Sequence, residues 1–437
     1  MNHVESQTIP VEQLEIGQYV YLDLKWFQHP FAFSHFKIKS NAQIKTIRSL
    51  NLKTVRINPQ LSDTESHCAD PMVQGSLDGQ EAPSVADTVT PADDATPVLL
   101  AKRIMMEQMQ VRRENSARIE RAFVDTAKVL RDIEKGIASH PAETVPQATK
   151  LVAQIADSIL CAPELAIQVM GDELGGDDMY FHSLNVTVLS IMMARDLKIP
   201  VDLAAVLGVG ALMHDIGRKE VPDKILLKTG PLTQAERNFY ELHCQFGADM
   251  AQRLKLPAAA IAIVREHHEL FDGSGFPGKL KGEEINFLAR IVAIANYYDE
   301  LCNPFVLTHA LTPHETLSLM FSRLRSKFDP ELLQVLIRCL GVYPPGTVVQ
   351  LSNGVMGIVV TVNTARPMRP MIMVYDADVP KQEAILLDME RETDFNIAKA
   401  IRPSQVARDV YNYLSPRKRV SYYFDPLSST PNKAANP

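Results

Sequence analysis

The sequence predicts a mainly α protein: a helical bundle core with a small N-terminal α+β domain and a short C-terminal β-rich segment. Three observations carry that reading. Apolar residues recur at helical spacing almost without interruption from position 142 to about 340. Strict alternation is confined to the two ends, in QYVYLDL (Gln18 to Leu24) and GTVVQLSNGVMGIVVTVN. Between the first of these and the helical region, SDTESHCADPMVQGSLDGQEAPSVADTVTPADDATP is rich in Asp, Pro, Ser and Thr and too poor in large apolar residues to build a core.

The N-terminal domain is expected over 1–62: QYVYLDL as one strand, NAQIKTIRSL (Asn41 to Leu50) as a short helix opened by an Asn cap, and KTVRINP as a second strand. An acidic disordered linker follows over 63–97. Residues 98–141 read as a long helical connector whose charges alternate in sign, a pattern that serves dimerisation, contact with a signalling partner, or packing on its own domain. The bundle takes 142–340. The β-rich segment spans 341–400, with Ser-Asn-Gly as a hairpin turn and RPMIMVYD as a further strand, and 401–437 forms a frayed tail.

Composition narrows the function classes. A formal net charge of −7 over 437 residues gives no support to a nucleic-acid polymer as partner or to a membrane surface. The five cysteines, Cys68, Cys161, Cys244, Cys302 and Cys339, are odd in number and never paired as CxxC, which suits a reducing compartment and no structural zinc. No basic-then-apolar leader and no membrane-length apolar run is present, so the expected location is the cytoplasm, without membrane insertion.

The chemistry concentrates in the helical region. His182 opens the amphipathic run HSLNVTVLSIMMARDL. His214 and Asp215 end the run LAAVLGVGALMHDIG, where Leu203, Leu207, Gly210 and Ala211 put His214 on the buried face and Gly217 stops the helix. His243 is expected on a helix opened by the capping box Thr233-x-x-Glu236, and His267 and His268 close AAAIAIVREHH. In INFLARIVAIANYYDEL, Leu288, Val292, Ala295 and Asp299 share a face with Asn296 beside it. A single buried histidine is usually a satisfied core residue. Five of them plus an aspartate are costly to bury without partners, and metal coordination is the economical explanation. Imidazole and carboxylate without thiolate suit Mn, Fe or Zn with open positions, hence catalysis.

The motifs HSLNV, HDIG, HCQFG, HHELFDGSGFP and RIVAIANYYDEL occur in the order of the HD-GYP family, similar to bacterial cyclic di-GMP phosphodiesterases of the HD metal-dependent phosphohydrolases. The resemblance covers about 200 residues, and the N-terminal module resembles the small domain that often precedes HD-GYP domains. It implies an HD-type helical bundle core and two divalent metal ions, Fe or Mn foremost. His182, His214 and Asp215 would hold one and His243, His267 and His268 the other, with Asp215 bridging. Asp178, four residues before His182, falls where some members admit a third metal. Two such metals ~3.5–4 Å apart can activate a nucleophile and spread the charge of in-line attack on a phosphodiester.

The resemblance also assigns catalytic roles to Asp215, Arg218 and Lys219, and substrate contacts to Gly275, Phe276, Pro277, Arg218 and Asp299, the last toward a guanine base. Arg218 stands where the family has Lys, Asn296 where it has a ligating Asp, and Phe276 where it has the Tyr of the signature; the basic pair usual after Asp299 is absent from LCNPFVLTHALTP. The function implied is hydrolysis of cyclic di-GMP to pGpG or GMP. Two other functions compete: a metal-bound but catalytically weak nucleotide sensor or scaffold, and a hydrolase of another cyclic dinucleotide.

Overall fold

The computed structural model describes residues 6–63, 98–104, scattered positions between 106 and 136, 141–161, and 178–414 apart from 305, 307, 308, 364 and 365. The expected linker and most of the expected helical connector lie outside the described residues. So does the chain beyond 414. The chain separates into two units: residues 1–112 with 378–385, and the remainder.

In the first unit, strands β1 (Gln7–Pro10), β2 (Tyr19–Tyr21), β3 (His35–Lys37) and β4 (Thr54–Asn58) form an antiparallel sheet in the order β1-β4-β2-β3. Alternation puts Val20, Val55 and Ile57 inward, where they join Ile44 and Ile47 of helix α1 (Asn41–Ser49) in one apolar core. The helix is capped by Ser40, whose side chain accepts from the Gln43 amide, one residue before the expected cap Asn41, which is already inside the helix. Residues 98–104 are helical, and buried Lys102 donates to the carbonyls of Trp26, His29 and Phe31, so its ammonium is satisfied by backbone.

The second unit holds the bundle: α2 (Pro141–Cys161), α3 (Asp178–Asp196), α4 (Val201–Leu212), α5 (Asp223–Leu226), α6 (Gln234–Glu241), α7 (His243–Arg253), α8 (Ala258–Glu266), α9 (Phe287–Cys302), α10 (Pro313–Ser322) and α11 (Pro330–Leu340). Helix α9 is buried on nearly every side, from Leu288 through Ile291, Val292 and Ile294 to Tyr298 and Cys302, which marks it as the centre of the bundle. It packs on α3, α8, α10 and α11.

The C-terminal strands β5 (Val348–Leu351), β6 (Met356–Thr361), β7 (Met371–Val374), β8 (Ile385–Asp388) and β9 (Ile397–Ile401) make a sheet in the order β8-β7-β6-β5-β9. The β5–β6 hairpin turns at Ser-Asn-Gly, where Gly354 takes φ 86°, and β7 pairs with β6 as the alternation predicts. Order continues past 400: β9 ends at Ile401, and helix α12 (Arg408–Leu414) buries Leu414 against Val348 and Ile358, so the tail does not fray at 401. No helix among the described residues is long and apolar enough to cross a membrane.

Candidate metal centre

Three histidines reach the centre by one local device. His214 follows the end of α4, His267 caps α8, and His243 begins α7 one residue after α6 closes. Each turns its Nδ1 onto the carbonyl three residues earlier: His214 to Ala211 at 2.7 Å, His243 to Tyr240 at 2.6 Å, and His267 to Val264 at 2.9 Å. A carbonyl at a helix end lacks its intrahelical donor, and the imidazole supplies it. A carbonyl only accepts, so each Nδ1 carries the proton and each Nε2 keeps a lone pair. His182, on α3, is set differently. Its Nδ1 lies 2.7 Å from Asp299 Oδ2, which leaves its Nε2 free as well.

These lone pairs converge. The Nε2 atoms of His182 and His214 are 3.3 Å apart and those of His243 and His267 3.4 Å apart. With the protons of His243 and His267 both on Nδ1, the contact between those two nitrogens is no hydrogen bond. Asp215 lies between them: its Oδ2 is 3.2 Å from His214 Nε2 and 3.7 Å from His182 Nε2, and its Oδ1 is 3.6 Å from both His243 and His267 Nε2. Two groups of donor atoms result, His182–His214–Asp215 and Asp215–His243–His267–His268, each close enough to share one ion.

The electrostatics agree with a place for cations. Both Asp215 oxygens, His268 Nε2 and Asn296 Oδ1 are buried without a hydrogen-bond partner, an uncommon cost in a folded interior. Burial lowers the His243 pKa to about 4 and the His267 pKa to about 3, and burial with its neighbouring imidazoles holds His268 well below its ordinary value, so these rings are neutral at pH 7. Burial works against ionising Asp215, but Arg218 and His214 outweigh it and keep the carboxyl well below the usual range. At His182 burial opposes protonation, and Asp299 and Asp215 override it and raise the pKa. A carboxylate beside the neutral imidazoles of His243, His267 and His268, all in nitrogen and oxygen donors, fits divalent metal. The cluster could hold a metal ion.

The loop after α8 presses on this centre. Phe276 stacks on His268, with ring centroids 4.5 Å apart and planes 25° apart, and its amide donates to the His268 carbonyl at 3.2 Å. Buried Glu269 holds the loop from below, accepting from the amides of Gly278 at 2.5 Å and Leu280 at 3.0 Å. Gly217 lets the turn after α4 pass against α7, since a Cβ there would collide with the His243 carbonyl and the Gly247 amide.

Several expectations change place. The helix ends at Leu212, so His214 and Asp215 sit in the turn beyond it, and His243 opens its own helix instead of riding on the one capped by Thr233. Asp299 is fully buried with both oxygens engaged: its Oδ2 faces His182 and its Oδ1 accepts from Asn185 at 2.8 Å and Asn303 at 2.9 Å, so no exposed face is left for a guanine. Gly275 is packed on the backbone of His268, Glu269 and Leu270, with no surface for substrate, whereas Pro277 is exposed and Phe276 half-buried. Arg218 turns inward, its Nε 2.9 Å from Asp215 Oδ1, while Lys219 is exposed. The side chain of Asp178 lies outside the described residues. Asn185, Tyr240, Glu269 and Glu300 also touch the centre or its supports; no spacing rule marks them, although the Tyr240 carbonyl follows once His243 is known to sit past a helix end.

Residues 133–332 match the HD domain family, 6–148 a domain of unknown function (DUF3391), and 348–409 a KOW domain associated with HD domain. The chain is 29% identical over 370 residues to the cyclic di-GMP phosphodiesterase PA4108 of Pseudomonas aeruginosa, covering 84% of each chain. It is 33% identical over 150 residues to the cyclic di-GMP phosphodiesterase response regulator RpfG of Xanthomonas campestris pv. campestris, covering 34% of this chain and 39% of that one. It is 31% identical over 163 residues to 3'3'-cGAMP-specific phosphodiesterase 3 of Vibrio cholerae serotype O1, covering 37% of this chain and 35% of that one.

Proposed function

We propose that the chain, whose residues 133–332 match the HD domain family, belongs to its HD-GYP branch and is a phosphodiesterase that opens cyclic di-GMP with two divalent metal ions. One observation carries the reading: Asp215 offers one oxygen to each group of histidines, and both oxygens are without a hydrogen-bond partner. On this reading His182, His214 and Asp215 hold one ion, and Asp215, His243, His267 and His268 the other, with Asn296 adding an amide oxygen. The all-nitrogen-and-oxygen donor set favours Fe or Mn, and Asp178 is the residue for a third ion. When bound, the ions supply Lewis-acid activation of a water nucleophile and of the phosphodiester.

The chain's own residues do the rest. The carbonyls of Ala211, Tyr240 and Val264 fix three imidazoles with Nε2 inward, so the ligands are oriented before any ion or substrate arrives. Asp299 does the same for His182. Phe276 and exposed Pro277 form the edge of the centre from which a nucleotide is met, and Lys219 offers an exposed cation for its phosphates. The products are pGpG or GMP. No group in the centre must act as a covalent nucleophile.

A second reading has a specific observation behind it. Arg218 places a guanidinium on the oxygen of Asp215 that a metal would use, which favours a slow enzyme or a nucleotide sensor that assembles with a partner or a second copy. Elemental analysis joined to chromatography of the products from cyclic di-GMP and from 3'3'-cGAMP separates these readings. Full occupancy with pGpG or GMP formed from cyclic di-GMP supports the enzyme, and full occupancy with no turnover supports the sensor.

A further inference from the structure

Arg218 is gripped from three directions. Its Nε lies 2.9 Å from Asp215 Oδ1, its Nη2 donates to the Tyr240 hydroxyl at 2.9 Å, and the same nitrogen is 3.7 Å from Glu300 Oε1. The anchors come from separate elements, Tyr240 from α6 and Glu300 from α9. Tyr240 also has a second contact with the centre, since its carbonyl accepts from His243 Nδ1 at 2.6 Å and its ring lies 4.8 Å from the His243 ring. One residue therefore supports a histidine of one donor group and the cation that rests on Asp215.

We propose that Tyr240 and Glu300 are positioning residues that hold the Arg218 guanidinium against Asp215 Oδ1 and so set how tightly the His243–His267–His268 half of the centre binds its cation. The guanidinium is a planar fork with donors in fixed directions. Fixing Nη2 between a hydroxyl and a carboxylate keeps Nε 2.9 Å from Asp215 Oδ1 as a charge contact without a hydrogen bond, a division of labour that a single ammonium cannot reproduce. Oδ1 is the oxygen that faces His243 and His267, whereas Oδ2 faces His182 and His214. The guanidinium thus opposes a cation chiefly in one half, making the two halves unequal. In a site with little water to screen it, a unit charge a few ångströms away shifts ion affinity by at least about tenfold. This inference rests on the phosphodiesterase reading only for its effect on turnover. Its effect on metal affinity stands apart from the substrate.

The test uses the full-length chain as wild type, Tyr240→Phe, Glu300→Gln, Arg218→Ala and the Tyr240→Phe/Arg218→Ala double variant. Tyr240→Phe removes the hydroxyl and keeps both the ring beside His243 and the carbonyl that orients it. Mn2+ binding is followed by electron paramagnetic resonance, and turnover of cyclic di-GMP and of bis(p-nitrophenyl) phosphate is measured at saturating Mn2+. Arg218→Ala is expected to tighten the weaker Mn2+ by at least about tenfold, and Tyr240→Phe and Glu300→Gln by about threefold each. In the Arg218→Ala background, Tyr240→Phe is expected to change Mn2+ affinity by less than about twofold, because the residue through which it acts is gone. Wild-type affinity in Tyr240→Phe, or an equal effect of that change with and without Arg218, overturns the proposal. If the wild type hydrolyses neither ester, the phosphodiesterase reading falls, and the Mn2+ cycle alone still decides the positioning.

Discussion

His182 Nδ1 lies 2.7 Å from Asp299 Oδ2, and the other oxygen of Asp299 is taken by the side-chain amides of Asn185 and Asn303. Asp299 is therefore a buried support for a histidine, with both of its oxygens engaged. Replacing it by Ala leaves His182 without its orienting partner. Loss of such a partner typically costs ~10–100-fold in metal affinity, so Asp299→Ala should weaken Mn2+ in the His182 group by that factor. The other group should bind as before. Wild-type affinity for both ions would show that Asp299 is not needed to orient His182.

The shared carboxylate makes an unequal prediction for two sets of ligands. His214→Ala with Asp215→Ala removes donors from both groups and should strip both ions. His268→Ala removes a donor from one group only and should leave about one ion per chain. Changing His67, outside the described residues, should leave the metal content intact. Elemental analysis after gel filtration reads all three, and full metal content in the His214/Asp215 double variant would place the centre elsewhere.

The packing of the turn after α4 gives a stability test free of any ligand. A methyl at Gly217 meets the His243 carbonyl and the Gly247 amide, both backbone, so nothing flexible can give way. Gly217→Ala should cost more than ~4 kcal/mol, the range reached when a close backbone approach is blocked. Gly230→Ala is the control, since a Cβ there has open space around it. A denaturant melt that finds the two variants alike would contradict the packing.

The first unit carries its own pH dependence. Burial, with help from the Lys102 ammonium, lowers the pKa of His29 from 6.5 to about 3. The unfolded chain takes up this proton near pH 6.5 and the folded one only near pH 3. Stability from His29 is thus fully present above about pH 6.5 and is lost progressively as pH falls toward 3, by up to a few kcal/mol. Trp26, the single tryptophan of the chain, is buried in the same unit and reports its unfolding by fluorescence. His29→Gln should flatten the slope between pH 6 and 4; an unchanged slope would remove His29 as its source.

Much of this molecule was legible in the chain, and the misses share a cause. Alternation located β2, β4 and the β5–β6–β7 meander because one face of each is buried, and helical spacing located the bundle because its helices bury continuous stripes. The histidines of the HD-GYP motifs come together around Asp215 in two groups of donor atoms. Helix ends were harder: Ser40 caps α1 although Asn41 reads equally well as a cap, and α4 stops at Leu212 because His214 takes the carbonyl of Ala211. Direction was harder still. Nothing in RIVAIANYYDEL says that Asp299 points at His182, nor in HDIGRK that Arg218 turns back on Asp215 while Lys219 stays outside. Those choices depend on α3, α6 and α9 meeting in space, across separations that local patterns do not encode.

The central claim is that Asp215 joins two cation sites into one centre that cuts a cyclic dinucleotide. The most direct measurement is turnover of cyclic di-GMP by the full-length chain, followed by chromatography, as Mn2+ or Fe2+ occupancy is raised from zero to saturation. The account predicts that pGpG or GMP appears only as the second ion loads, and that the His214→Ala/Asp215→Ala variant forms neither. Undetectable turnover of cyclic di-GMP with both ions bound, or turnover that persists in the double variant, would contradict it.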